Sequence, residues 1–130
     1  MSQENVDLVS GGYDHFNGGN IEDLTARFHP EIEWIEPGGG NAPSGTFKGP
    51  ESVADKVFAA VPQNFEEFTC TVEAASDQGD TVVITARFKG KNKSGAELDI
   101  QAEHVWGVRD GKIARFENKV DQEAWAKAWS

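Results

Sequence analysis

A histidine set within an apolar alternation is the residue best placed to do chemistry in this chain. Leu98, Ile100, Ala102, His104, Trp106 and Val108 recur at every second position, so a β-strand puts all six on one face. Imidazole titrates near neutrality, and its charge and tautomer on such a face depend on the polar partner it meets. Beyond Asp110-Gly111, a strong hairpin signal, the row Ala114, Phe116, Asn118 and Val120 alternates in the same way and adds one amide. Ile32, Trp34 and Glu36 share a face of a third, short strand. A carboxylate beside an indole would have a raised pKa and could act as a general base. Imidazole, amide and carboxylate around one apolar hollow would suit acid–base work on a small molecule.

Each of these residues also has a plainer use. Glu36 fits a solvated strand end ahead of the flexible loop Pro37-Gly38-Gly39-Gly40. His104 fits a core position in which Asn118 or a backbone carbonyl satisfies the ring. Asn118 could orient His104 or bond a substrate carbonyl, both open to an amide. Phe16, Trp34, Phe47, Trp106 and Phe116 are spaced to line the hollow, with Val120 at the end of the last row, yet such aromatics also serve as core. Trp125 and Trp129, four apart, would cover the hollow or an interface. His29 before Pro30 reads as a helix terminator and His15 as a surface residue. The three histidines stand on separate elements without ligand spacing, so no metal site is expected. Gly38-Gly39-Gly40 lacks the strand-to-helix setting and following Lys-Ser/Thr of a phosphate cradle, and reads as a mobile rim.

The 130 residues suit one domain, residues 1–130, with enough apolar content (38%) to bury a core. A net charge of −10 opposes binding to nucleic acid or an anionic membrane surface. One cysteine, Cys70, excludes an intramolecular disulfide and any cysteine-rich metal site. No apolar run approaches the roughly 20 residues of a membrane span, and the polar start Ser2-Gln3-Glu4-Asn5 carries no export signal. Cytoplasmic residence is the expectation.

Positioning falls to elements that the spacing predicts in order. Val6, Val9, Tyr13 and Phe16 stripe a first helix that stops at Gly18-Gly19, and Gly11-Gly12 within it implies a close neighbour. Asn20 would cap a short second helix that ends at His29-Pro30. A strand over Ile32–Ile35, a loop from Pro37 to Gly45 and a third helix from Pro50 to about Val61 follow. The remainder is a four-strand antiparallel meander: Phe68–Ala74, Thr81–Phe88, the strand of His104 and the strand of Asn118. Asp121 then caps a short C-terminal helix. The fold class is α+β, a cone-shaped curved antiparallel sheet wrapped around three N-terminal helices, with a mouth suited to a ligand.

Several segments resemble one family. Tyr13-Asp14-His15-Phe16-Asn17-Gly18-Gly19-Asn20-Ile21-Glu22-Asp23-Leu24, Phe28-His29-Pro30-Glu31-Ile32-Glu33-Trp34, Phe47-Lys48-Gly49-Pro50-Glu51-Ser52-Val53 and His104 through Asp121 look like SnoaL-like proteins. These belong to the nuclear transport factor 2-like superfamily, with ketosteroid isomerases and limonene-epoxide hydrolases. The resemblance implies a cystatin-like α+β barrel that homodimerises through its sheet, on which many unrelated functions occur. It implies that His104 stands where SnoaL-like cyclases hold a histidine, and Asn118 where the cyclases and the epoxide hydrolases hold an acid. Glu36-Pro37 stands at the isomerases' catalytic aspartate-proline. The isomerases' oxyanion tyrosine falls on Gly12, so Tyr13, turned by about 100° on the helix, is expected to point elsewhere. Their second oxyanion donor, a protonated aspartate, aligns with His104. The expectation is cofactor-free acid–base chemistry (isomerase, cyclase or lyase type) on a small, largely apolar carbonyl or polycyclic compound. Glu36 would accept the proton while His104 and Asn118 stabilise charge on oxygen. The alternative is a non-catalytic binding or dimerisation module that lost its acid at Asn118.

Overall fold

The computed structural model describes residues 2–130. The chain runs α1 (Ser2–Asn17), α2 (Ile21–Thr25), β1 (Phe28–Pro37), β2 (Ser44–Lys48), α3 (Pro50–Val53), a π-helical turn (Ala54–Phe58), α4 (Ala60–Asn64), β3 (Phe65–Gln78), β4 (Thr81–Asn92), β5 (Glu97–Arg109), β6 (Lys112–Lys119) and α5 (Gln122–Ala128). The six strands form one curved, unclosed sheet in the order β2-β1-β6-β5-β4-β3. Helices pack against it over one continuous core that includes Val9, Leu24, Ile32, Val53, Ile84 and Ile113. The α+β class, the β3-to-β6 meander and the short terminal helix are as the spacing predicts.

The sheet departs from the fully antiparallel expectation at one seam, where β1 runs parallel to β6. The chain crosses between them through the whole meander, as parallel neighbours require. Two strands exceed what the spacing predicts. β1 begins at Phe28, so His29-Pro30 lies inside a strand and does not terminate a helix. The loop after Pro37 contains β2, which pairs Phe47 with Trp34. The third helix is broken into α3, the π turn and α4.

Turn chemistry fares better. Asp110 and Gly111 both take positive φ (56° and 74°), as a two-residue turn matched to strand twist demands. Asp121 Oδ1 accepts from the amides of Glu123 and Ala124, so it caps α5. Asn20 precedes α2 but makes no side-chain cap. The close neighbours implied by Gly11-Gly12 are the Arg27 guanidinium and Leu24: a Cβ at Gly11 would lie 2.9 Å from Arg27 Nη1, and one at Gly12 3.1 Å from Leu24 Cδ1.

Candidate functional site

Strand register assembles the site. Trp34 of β1 pairs with Phe116 of β6, and Phe116 with Trp106 of β5, giving an aromatic row across three strands. Their rings lie 4.0 Å and 4.4 Å apart at the centroids. Two residues along each strand, on the same face, stand Glu36, Asn118 and His104, with His104 and Asn118 directly paired. Period two therefore carries all three polar groups inward together. All three are buried.

The alternation of β6 holds for Phe116 and Asn118 but breaks below them. A bulge opposite Gly107-Val108 pairs Val108 with Ile113, so Ile113 enters the core and Ala114 does not. The row expected to run from Ala114 through Val120 is therefore shorter than predicted.

Hydrogen bonds join these groups into two arms. Glu36 Oε2 accepts from Trp34 Nε1 at 2.6 Å, and Glu36 Oε1 accepts from Asn118 Nδ2 at 3.1 Å. Burial pushes the Glu36 pKa up from 4.5 to about 7, against the two donors, which favour the anion. The sequence expectation that the indole raises this pKa is corrected: Trp34 lowers it, and loss of water raises it. On the other arm, Trp106 Nε1 donates to the Tyr13 hydroxyl oxygen at 2.9 Å, and that hydroxyl lies 2.6 Å from His104 Nδ1. Burial drives His104 down to about 3, with the facing Asn118 amide opposing it, so the ring is neutral at physiological pH. Burial likewise raises the Tyr13 and Cys70 pKa values.

Tyr13 is the residue the sequence reasoning turned away from the site. The 100° offset from Gly12 did not carry it outward, because Tyr13 lies on the same stripe as Val9 and Phe16 and α1 presents that stripe to the sheet. The signal was present in the helical spacing itself. Leu24, not an aromatic ring, occupies the space beside Gly12.

A cavity of about 80 Å³ lies among these groups, walled by Tyr13, Phe16, Trp34, Glu36, Phe58, Phe68, Cys70, Phe88, His104, Trp106, Phe116, Asn118, Trp125 and Trp129, among others. Phe16, Trp34, Trp106 and Phe116 thus stand where expected. Phe47 and Val120 do not line it: they are half-buried against the outside of the core. Trp125 and Trp129 close one wall from α5. The glycine rim is not free, since Gly39 and Gly40 lie against Ala126 and the Asn41 amide donates to Trp129 O at 3.0 Å. Among the described residues, four buried polar side-chain atoms lack a partner: His104 Nε2, Asn118 Oδ1, Trp125 Nε1 and Trp129 Nε1. Every one belongs to a side chain of the cavity wall. No cluster of three metal-ligating side chains occurs among the described residues, and no helix among them is long and apolar enough to cross a membrane.

Comparison with known proteins follows the same lines. A family model described as the SnoaL-like domain matches residues 9–116. No curated protein matches the chain. Among solved structures, TerC co-crystallised with polyporic acid is 26% identical, with a TM-score of 0.87, covering 96% of this chain and 97% of that one. A nuclear transport factor 2-like protein from Burkholderia thailandensis is 28% identical, with a TM-score of 0.87 and 95% of each chain covered. A putative SnoaL-like polyketide cyclase from Jannaschia, 21% identical over 100% of this chain and 94% of that one (TM-score 0.84), shares the fold. With its matched segment spanning most of the sequence, the chain belongs to the SnoaL-like domain family.

Proposed function

We propose that this chain, acting as one SnoaL-like domain, is a cofactor-independent acid–base enzyme of isomerase, cyclase or lyase type. Its substrate is a small, largely apolar compound with a carbonyl group, and the protein works as a homodimer. The observation that carries the reading is a buried carboxylate poised near neutrality across one cavity from a neutral imidazole with an unpartnered nitrogen. Glu36 takes a proton from the carbon next to the carbonyl, for which a pKa near the operating pH is best suited. The Tyr13 hydroxyl has no acceptor among the described residues other than His104 Nδ1, so it donates there and leaves the ring proton on Nε2. That N–H meets the carbonyl oxygen and stabilises the negative charge that grows on it. Asn118 positions Glu36 through one N–H and faces the substrate with the rest of its amide. The proton on Glu36 then returns to the same carbon or to another one, or the enolate attacks a second carbonyl.

Uptake of deuterium from D₂O into the methyl group of acetophenone reads this step directly. Glu36→Gln is expected to lower the exchange rate by about a hundredfold or more, and the wild-type rate to rise with pH up to about 7 and then level. A variant within twofold of wild type would overturn the assignment. The acid-to-amide departure at Asn118 favours a second reading, a binding module without turnover. Tight ligand binding with no exchange, unchanged by Asn118→Asp, would select it.

A further inference from the structure

Three of the four unpartnered atoms are hydrogen-bond donors, and they fall into two groups. Trp125 Nε1 and Trp129 Nε1 can only donate, and His104 Nε2 carries the ring proton when Tyr13 donates to Nδ1. The rings of Trp125 on α5 and of Trp129 just past its end lie 5.7 Å apart. The Phe88 ring touches both sides, 5.3 Å from the His104 ring and 4.7 Å from the Trp125 ring. Buried N–H groups are almost always paired in folded proteins, so two sets of orphans in the wall of one cavity mark where a bound molecule supplies acceptors.

We infer that the ligand is a single-ring aromatic compound bearing oxygen at both ends, a carbonyl held by His104 and a phenolic or second carbonyl oxygen held by the Trp125 and Trp129 indoles. This rests on the proposed role of His104 and extends it with a second anchor. One ring, Phe88, lies against both His104 and Trp125, so a single-ring guest is the smallest that reaches from one donor to the other. At about 80 Å³ the cavity is smaller than the roughly 150 Å³ that holds one benzene, so even one ring requires the walls to repack, and a fused polycycle requires far more. The walls agree as well, because ring faces and edges of Tyr13, Trp34, Phe88, Trp106 and Phe116 enclose the space and favour a flat guest. Asn118 Oδ1, the one orphaned acceptor, lies on the residue paired with His104 and receives any hydroxyl donor beside the carbonyl.

Calorimetric titration with 4-hydroxyacetophenone, acetophenone and 4-ethylphenol tests the two-anchor arrangement. The first probe carries both oxygens, and each of the others carries one. Wild-type protein is expected to bind the first at least tenfold more tightly than either of the others, a difference of the size that one well-placed hydrogen bond gives. In the double variant Trp125→Phe/Trp129→Phe that advantage over acetophenone is expected to shrink to within threefold. Equal affinities in wild type, or an advantage that survives the double variant, would overturn the inference. If the double variant does not fold, as read by its melting transition, the single variant Trp129→Phe and the wild-type ranking decide. Deuterium exchange separates this idea from the reading it rests on. Preference without Glu36-dependent exchange upholds the ligand class and rejects the base, while exchange without preference rejects only the second anchor.

Discussion

Tyr13 acts on the chemistry through its neighbour. Its oxygen accepts from Trp106 and its proton goes to His104 Nδ1, which fixes the tautomer that presents Nε2–H. Tyr13→Phe removes one oxygen and strands two buried groups, each of which costs roughly 1–3 kcal/mol when unpaired. We expect lower unfolding free energy in urea, together with a nitrogen NMR signature of mixed His104 tautomers where wild type shows one. A wild-type tautomer ratio in the variant would mean that the hydroxyl has no orienting role. On the other arm, Trp34 donates to Glu36 at 2.6 Å, as short as the Tyr13–His104 contact. Trp34→Phe removes a donor that favours the anion, so the pH at which exchange levels off is expected to rise above that of wild type.

Among the elements, α5 has only seven residues, a length that does not sustain a helix alone, yet it holds the Trp125 indole and, just past its end, the Trp129 indole against the cavity. Its attachments are therefore specific. Asp121 caps its first turn, Asn92 Nδ2 donates to Ala128 O at 2.9 Å, and Gln122 Nε2 donates to Pro37 O at 2.9 Å. Asp121→Ala is expected to cost about 1 kcal/mol and to raise hydrogen exchange in α5 first. The glycine loop packs against α5. Gly40 has φ +57°, and a Cβ there would meet Ala126 O at 2.6 Å. Gly40→Val should thus push α5 off the sheet and quench the native tryptophan emission signature.

For the molecule as a whole, burying Glu36 and His104 shapes stability against pH in opposing senses. Glu36 is raised from 4.5 to about 7, so its contribution is full below pH 4.5 and is lost as pH rises through 7. His104 is lowered from 6.5 to about 3, so its contribution is full above pH 6.5 and is lost as pH falls toward 3. Between pH 4.5 and 6.5 the two slopes cancel. Urea unfolding across pH should therefore show a plateau in that window, with decline on both sides. Glu36→Gln should remove the alkaline decline and expose the histidine's slope from pH 6.5 downward. A variant curve parallel to wild type would show that Glu36 is not buried as an acid.

How much of this was legible depends on how local each rule is. Alternation over Leu98–Val108 and the Asp110-Gly111 turn act within a few residues, and they sent His104 inward and made the hairpin, while its pairing with Asn118 came from the bulge after Gly107. The apolar stripe of α1 likewise contained the inward turn of Tyr13, although the resemblance places the isomerases' tyrosine one residue earlier, at Gly12. Other outcomes needed the whole chain. That β1 lies parallel to β6, bringing Glu36 beside Asn118 from 82 residues away, follows from sheet order, which no local periodicity encodes. The bulge that swaps Ile113 for Ala114 depends on the partner strand. So does the burial of Glu36: its sequence setting, next to proline and glycines, suits solvent equally well, and only the tertiary packing that encloses it beside Trp34 and Asn118 removes the water that would hold its pKa down.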